Sequence, residues 1–413
     1  MSRLQPPRGT HDLLGEEMRR YVHIVDTARD VLRRYGFAEW ATPIFEDTRV
    51  FARSLGETSD VVSKEMYNFQ DRGGDSLTLR PEGTAAICRA LVSNALTQSL
   101  PQKVFYHGPM FRYERPQKGR FRQFHQIGAE FIGSDGPLRD AETIVMAQDF
   151  LSSLGLSGNV TLELNTLGDL ESRHAWREAL ISYFRQHKDA LSEESQTRLE
   201  LNPLRILDSK SEKDKKFLSE APLYAEYLND SSKQFWDELR DYLTIFGVSF
   251  IENPRIVRGL DYYSHTAFEF VTTELGAQGT VLAGGRYEGL VEEMGGPSIP
   301  AIGWAAGIER LSSLMTLPEG EREGIVLLPL GDEALREAVS LTHQLRQAGF
   351  VTALEVKGAM KKRMDRALQS GATHVIFIGD EDLGRRVVQL RDLRQREQVE
   401  VPMAQLVETL KRA

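Results

Sequence analysis

The sequence predicts an α+β protein: an antiparallel sheet divided by a helical insertion, with a small α/β domain after it. Three observations carry that prediction. Short strand-like runs with turn residues between them fill much of 1–165 and return over 251–318. The stretch between, 166–250, is rich in Glu, Lys, Ser, Arg and Leu and has helical spacing instead. From 324 to 413, apolar strand runs alternate with helical patterns. A chain of 413 residues exceeds one typical domain, and 41% hydrophobic with 27% charged residues suits a folded protein.

The elements follow in order. Tyr21, Ile24, Val25, Ala28, Val31, Leu32 and Tyr35 recur at helical spacing, so 16–35 reads as a helix that Gly36 stops. An extended stretch around Pro43 comes next, then strand-like runs at 76–80, 104–107, 124–132 and 160–164. Helices are expected at 176–187 and 235–243, within the insertion. Strands return at 266–272 and 279–283, and Gly303 leads into an apolar helix through Leu314. Beyond Leu317-Pro-Glu-Gly-Glu-Arg322 the pattern gives a strand at 325–330, a helix at 334–348 and a strand at 351–356. A helix at 359–370 and a strand at 374–378 complete it, an alternation that predicts parallel strands.

Charge narrows the function classes without deciding among them. The net charge of −9 is awkward for a nucleic-acid binder, yet distribution matters more than the sum. From Gly324 to Ala413 there are 14 Lys/Arg against 12 Asp/Glu, so the negative excess belongs to the residues before it. The run Lys361-Lys362-Arg363 could face RNA, or be a solvated helix face. No apolar run approaches a membrane span, and Met1-Ser-Arg-Leu-Gln-Pro-Pro7 has no secretory apolar core, so a cytoplasmic protein without a membrane partner is expected. The single cysteine, Cys88, sits in an apolar helical stretch and reads as a small core residue. No His/Cys cluster has zinc-site spacing, so no protein-held metal is expected. His107, His125 and His265 read as structural histidines with satisfied rings.

The most informative stretch is Phe111-Arg-Tyr-Glu-Arg-Pro-Gln-Lys-Gly-Arg-Phe-Arg-Gln-Phe-His-Gln126. It joins two strand-like runs, so 113–121 is expected to be a long hairpin loop that Pro116 and Gly119 help to turn. Arg112, Arg115, Lys118, Arg120 and Arg122 stand there against Glu114 alone. Such a loop suits a polyphosphate or a nucleic-acid end, because the arginine fork donates paired hydrogen bonds to phosphate. A ligand-free basic hairpin would look the same on charge alone. The chain has neither a Gly-x-x-x-x-Gly-Lys-Ser/Thr loop nor a Gly-x-Gly-x-x-Gly turn after a strand, so any nucleotide is held otherwise.

From Phe111 to Phe124 this stretch resembles motif 2 of the class II aminoacyl-tRNA synthetases, in the form typical of the histidine enzymes. Ala306-Gly-Ile-Glu-Arg310-Leu resembles motif 3, and 36–43 with its preceding helix resembles motif 1. Arg258-Gly-Leu-Asp-Tyr-Tyr263 and Ala283-Gly-Gly-Arg-Tyr287 resemble the two histidine-specific motifs. Arg8-Gly-Thr-His-Asp12 and Leu79-Arg-Pro-Glu-Gly-Thr84 match as well. Gly-x-Glu-Arg alone is a weak signal; the whole set, in this order over 8–310, is specific. The α/β tail fits the family's anticodon-binding domain. Departures are conservative: Glu288 where Asp is usual, and Trp304 and Ala306 before motif 3.

The resemblance implies a class II catalytic domain in two parts, 1–165 and 251–318, around an insertion at 166–250, with an anticodon-binding domain at 324–413. It implies histidine activation with ATP and Mg²⁺, transfer to the 3′-terminal adenosine of tRNA(His), and a homodimer built on motif 1. Catalysis would fall to Arg258 and Arg112, one on each side of the α-phosphate. Arg112, Glu114, Arg120, Phe124 and Arg310 would hold ATP: Arg310 and Phe124 on the adenine faces, Glu114 at its amino group, Arg120 at the outer phosphates. Glu82, Thr84 and Gln126 would hold the α-amino group of histidine. Glu130 would accept one ring N–H, Tyr263 would meet the other nitrogen, and Tyr262 and Tyr287 would line the pocket. The insertion's position suggests contact with the tRNA acceptor stem. Two rivals stand beside this reading: a non-catalytic histidine-sensing paralogue, which lacks the C-terminal domain, and a class II enzyme for another amino acid.

Overall fold

The structure, a computed structural model, describes residues 3–412 except 55–63, 116–119, 134, 202, 208, 210, 257–262, 277–278 and 318–323. It divides into two compact units, Met1–Thr316 and Leu317–Ala413.

The first unit holds eleven of the described strands: β1 (Ala38–Glu39), β2 (Phe45–Asp47), β3 (Tyr67–Gln70), β4 (Ser76–Leu79), β5 (Gln102–Phe111), β6 (Gln123–Ile132), β7 (Thr161–Thr166), β8 (Ile251–Glu252), β9 (Tyr263–Val271), β10 (Thr280–Tyr287) and β11 (Ala301–Gly307). Strands β2, β4 and β3 make a small antiparallel sheet. The other eight lie in the order β1-β5-β6-β11-β10-β9-β7-β8. Every pair from β5 to β7 is antiparallel, and β1 and β8 add parallel edges. Pairing of β5 with β6 runs from Gln102↔Ile132 to Phe111↔Gln123, so the basic stretch connects two paired strands, as its sequence predicts; its residues 116–119, with Pro116 and Gly119, lie outside the described residues.

Alternation along the central strands separates two faces. Gln126, Gly128 and Glu130 of β6 stand opposite Gly307, Ala305 and Gly303 of β11, which in turn face Ala283 and Gly285 of β10. These small residues leave one face concave. The intervening positions, among them Ile127, Phe131, Ile302 and Trp304, are buried, and helix Pro137–Ser153 packs on that face, its Phe150 ring stacked 5.7 Å from Trp304. The predicted first helix forms as Gly15–Arg34, buries Ile24, Val25, Ala28, Val31 and Leu32, and ends before Gly36 at φ +80°.

One expectation fails here. Gly303 does not open a helix: β11 runs to Gly307 and the helix is Ile308–Leu314. A central strand flanked on both edges and buried on both faces has no polar alternation to betray it, and a Gly/Ala run reads equally as helix.

The 166–250 segment is helical, with helices Leu170–Gln186, Glu193–Leu201, Glu212–Leu218 and Asp230–Ile245. Asp169, Ser211 and Asn229 cap three of them with side-chain oxygens, each accepting a backbone N–H in the first turn. Trp176, Leu180, Phe184 and Tyr224 anchor a separate apolar core.

The second unit is one five-stranded sheet of β12 (Ile325–Leu330), β13 (Thr352–Leu354), β14 (His374–Gly379), β15 (Val387–Asp392) and β16 (Gln398–Pro402), in the order β13-β12-β14-β15-β16. The first three are parallel, as expected, but β15 and β16 add an antiparallel pair that the sequence reading missed. Their outward positions carry Gln389, Arg391, Gln398 and Glu400, which dilute the apolar signal. The basic run also divides. Lys361 and Lys362 are exposed, but Arg363 is 6% exposed and donates to the carbonyls of Pro329, at 2.9 Å, and Glu355. Its guanidinium closes the ends of two parallel strands instead of facing solvent.

Candidate active site

The concave face carries a buried carboxylate at its centre. Glu130 is 1% exposed; it accepts the Thr84 hydroxyl at 2.7 Å and the Tyr287 hydroxyl at 2.9 Å, one on each oxygen. Burial pushes its carboxyl up to about 8, against the pull of the two hydroxyls, and the nearby Glu82 adds to the rise. Glycine is required alongside, since a Cβ on Gly303 would lie 1.8 Å from Glu130 Oε2.

Glu82 approaches from the loop after β4. It accepts the backbone N–H groups of Thr84, at 2.6 Å, and Ala85, at 2.9 Å, and so caps helix Thr84–Ser93. Burial raises its pKa, and those N–H groups oppose the rise. Gln126, four residues before Glu130 and on the same face, has a buried Oε1 with no hydrogen-bond partner among the described residues. Glu82, Thr84, Gln126, Glu130, Tyr263 and Tyr287 all line one cavity of about 170 Å³, with Arg112 at its wall.

A second cavity, also about 170 Å³, is lined by Arg112, Glu114, Arg120, Phe124 and Arg310. The Arg112 guanidinium lies 5.4 Å from the centre of the Phe124 ring and donates through Nε to the Pro81 carbonyl at 2.9 Å. Arg310 donates to the Thr280 carbonyl at 2.6 Å. Burial, then the adjacent Arg120, pull the Arg310 pKa down. Arg120 pairs with Glu114 at 2.9 Å. Three arginines against the carboxylates of Glu114 and Glu309 leave the cavity a small excess of positive charge. The two cavities share Arg112, Gln126, Ala283 and Ala305 in their walls.

Eleven of the thirteen residues singled out from sequence therefore line one or other of two adjoining cavities. Arg258 and Tyr262 lie outside the described residues. Among those described, no group of three or more His, Cys, Asp or Glu is arranged to hold a metal ion.

Two residues that sequence reasoning did not single out support this site. Glu309 accepts from the His125 backbone N–H at 2.9 and 3.0 Å and from His125 Nδ1 at 2.8 Å, pinning the helix that carries Arg310 to β6. Tyr106 lies buried opposite Gly128, and a Cβ at Gly83 or Gly128 would come within 2.1 or 2.4 Å of it. Paired glycines flanking an aromatic position were the available signal. Of the histidines, His107 reaches Tyr21, Arg29 and Glu39 as a structural residue would. His265 departs from expectation, because its buried Nδ1 has no hydrogen-bond partner among the described residues. Cys88 is a core residue, its thiol pushed up by burial and directed at the Tyr287 hydroxyl, 3.9 Å away.

An antiparallel sheet with a polyphosphate-suited cavity against a small polar pocket, fed by motifs 2 and 3, is the arrangement of a class II aminoacyl-tRNA synthetase. The histidyl-tRNA synthetase family model matches residues 9–311, and the anticodon binding domain model matches 324–413. The chain is 72% identical over 410 residues to the histidine–tRNA ligase of Gluconobacter oxydans, covering 99% of both. It is 60% identical over 403 residues to that of Gluconacetobacter diazotrophicus, covering 98% of this chain and 97% of the relative. The crystal structure of apo S. aureus histidyl-tRNA synthetase matches with a TM-score of 0.85 at 34% identity, over 99% of this chain and 100% of that one. The chain belongs to the histidyl-tRNA synthetase family.

Proposed function

We propose that this chain is a histidine–tRNA ligase whose two adjoining cavities hold histidine and ATP. In the first step a carboxylate oxygen of histidine attacks the α-phosphorus of ATP. The bond to the bridging oxygen breaks, giving histidyl-adenylate and pyrophosphate. In the second step the 3′-terminal ribose hydroxyl of tRNA(His) attacks the activated carbonyl carbon and AMP leaves.

The observation that carries this reading is the shared wall. The nucleophile and its target must meet where the amino-acid pocket opens onto the nucleotide cavity, and Arg112 stands there. A cation fixed at that junction stabilises charge building on the α-phosphate oxygens more than it stabilises the ground state. Arg258 is assigned the opposite side. Phe124 and Arg310 sandwich adenine, Glu114 accepts from its amino group, and Arg120 meets the outer phosphates, which arrive with Mg²⁺ as part of the substrate.

In the pocket, Glu130 accepts one imidazole N–H and Tyr263 meets the other nitrogen, with Tyr262 and Tyr287 as walls. The buried Gln126 Oε1, with no hydrogen-bond partner among the described residues, suits an ammonium donor, so it joins Glu82 and Thr84 at the α-amino group. Residues 324–413 take the anticodon. The working form is a cytoplasmic homodimer: Met18 and Val22 of the first helix and Leu14 at its N-terminus are exposed, apolar positions that a partner would cover. No described helix is long and apolar enough to cross a membrane.

Amino-acid-dependent ATP–pyrophosphate exchange over all twenty amino acids, with Arg258→Ala beside the parent chain, tests this reading. Exchange with histidine alone, mostly lost in the variant, is the expected result. Histidine binding without exchange would point to a sensor protein instead.

A further inference from the structure

Behind the histidine pocket, β9 carries a bulge. Its register with β10 passes Phe268↔Gly284 and Ala267↔Gly285, then jumps to Ser264↔Arg286 and Tyr263↔Tyr287. An even strand would set His265 opposite Tyr287. The two extra residues set Tyr263 there, where it lines the pocket. His265 adopts φ +43°, a left-handed conformation that costs a non-glycine residue free energy and persists only when its surroundings fix it.

The fixing groups come largely from the helical segment and its entry. The His265 N–H donates to the Gly168 carbonyl at 2.7 Å, and the His265 carbonyl accepts from the Leu167 N–H at 2.5 Å. The Tyr224 hydroxyl, from the segment's own core, donates to the Leu167 carbonyl. The Phe235 ring stacks on His265 with centroids 4.3 Å apart and planes 19° from parallel. The buried Arg286 guanidinium lies 5.4 Å from that Phe235 ring and is held by Asp140 at 2.6 and 3.1 Å. Arg173 reaches from helix Leu170–Gln186 to donate to the Tyr263 carbonyl at 2.9 Å.

We infer that the 166–250 segment positions the histidine pocket: Arg173 and Phe235 hold the β9 bulge so that Tyr263 stands opposite Tyr287. The inference rests on reading that cavity as the histidine site. It gives the segment a part in the first half-reaction, in addition to any contact with the acceptor stem. Neither residue lines the pocket, so both act through the placement of Tyr263.

The test uses the full chain and its Arg173→Ala, Arg173→Gln, Arg173→Lys and Phe235→Leu variants in pyrophosphate exchange, titrating histidine and ATP separately. A misplacement of about an ångström at a binding group costs up to roughly a hundredfold. The histidine KM is therefore expected to rise ~10-fold or more in Arg173→Ala and Phe235→Leu, while the ATP KM stays within about twofold. Lysine, which can still donate to the Tyr263 carbonyl, should recover part of the loss. A histidine KM unchanged in both variants, or one that rises in step with the ATP KM, overturns the inference. If Arg173→Ala does not fold, Arg173→Gln and Phe235→Leu decide by the same criterion. A parent chain with no histidine-dependent exchange would instead overturn the reading of the pocket.

Discussion

Glu130 shows how one residue's environment sets what it can do. Burial holds its carboxyl near 8, far above an unfolded carboxylate. The folded state therefore holds a proton that the unfolded chain releases near 4.5. Stability from this group is full below about 4.5 and is lost as pH rises toward 8, to the extent of a few kcal/mol. Glu130→Gln should flatten that decline, so the apo protein's thermal midpoint should fall less between pH 5 and 8; a decline equal to the parent's would contradict the assignment. Gly303→Ala probes the same carboxylate sterically. Its methyl would lie 1.8 Å from Oε2, and β11 is too enclosed to retreat. Histidine kcat/KM should fall by roughly 10- to 100-fold with the ATP KM little changed, which separate substrate titrations would read. Local sequence could not show this burial: Ala129 and Phe131 beside Glu130 leave its facing open, and the β11 glycine that packs on it is 173 positions away. Resemblance chose the residue, and the structure supplies the reason that its neighbours are small.

At the scale of elements, legibility followed how much of each element's polarity was visible along the chain. The pairing of β5 with β6 was readable because a basic stretch bearing Pro and Gly interrupts two apolar runs in the sequence. The four-helix segment was readable because its caps and charged faces are local signals. Strand β11 was not, being buried on both faces. Nor were β15 and β16, whose solvent side carries charge. Tertiary pins such as Glu309 on His125 have no sequence signature beyond the motif that contains them. That pin has a testable consequence. Glu309 satisfies two donors of β6 and thereby fixes the start of helix Ile308–Leu314, from which Arg310 reaches the nucleotide cavity. Glu309→Ala should loosen that placement and leave the part-buried His125 N–H unpaired. The expected result is a rise in the ATP KM of about tenfold with a smaller change for histidine, the reverse of the Arg173 pattern. Equal changes for both substrates would mean that the pin serves the sheet as a whole.

At the scale of the molecule, both proposed substrate cavities belong to the first unit, and the second has its own core of Leu327, Leu341, Ile376, Val388 and Leu406. Charge is divided in the same way. The stretch from Gly324 carries a small cationic excess of about +2, whereas the preceding residues carry −11, for the net −9. On the proposed reading an anionic first unit holds tRNA through local cations, and the second unit adds affinity through separate contacts. Removal of everything after Thr316 should therefore leave histidine-dependent pyrophosphate exchange within about tenfold of the parent, since no proposed substrate contact for that step is lost. Aminoacylation should fall much further, by roughly a hundredfold or more in kcat/KM for tRNA, because two weak attachments have become one. The loss should also steepen as salt is raised, as phosphate contacts weaken by counterion uptake. Exchange and charging are measured on the same preparation at two salt concentrations. Parallel loss of both activities would show that the C-terminal unit supports the fold of the first; retention of both would remove it from tRNA recognition.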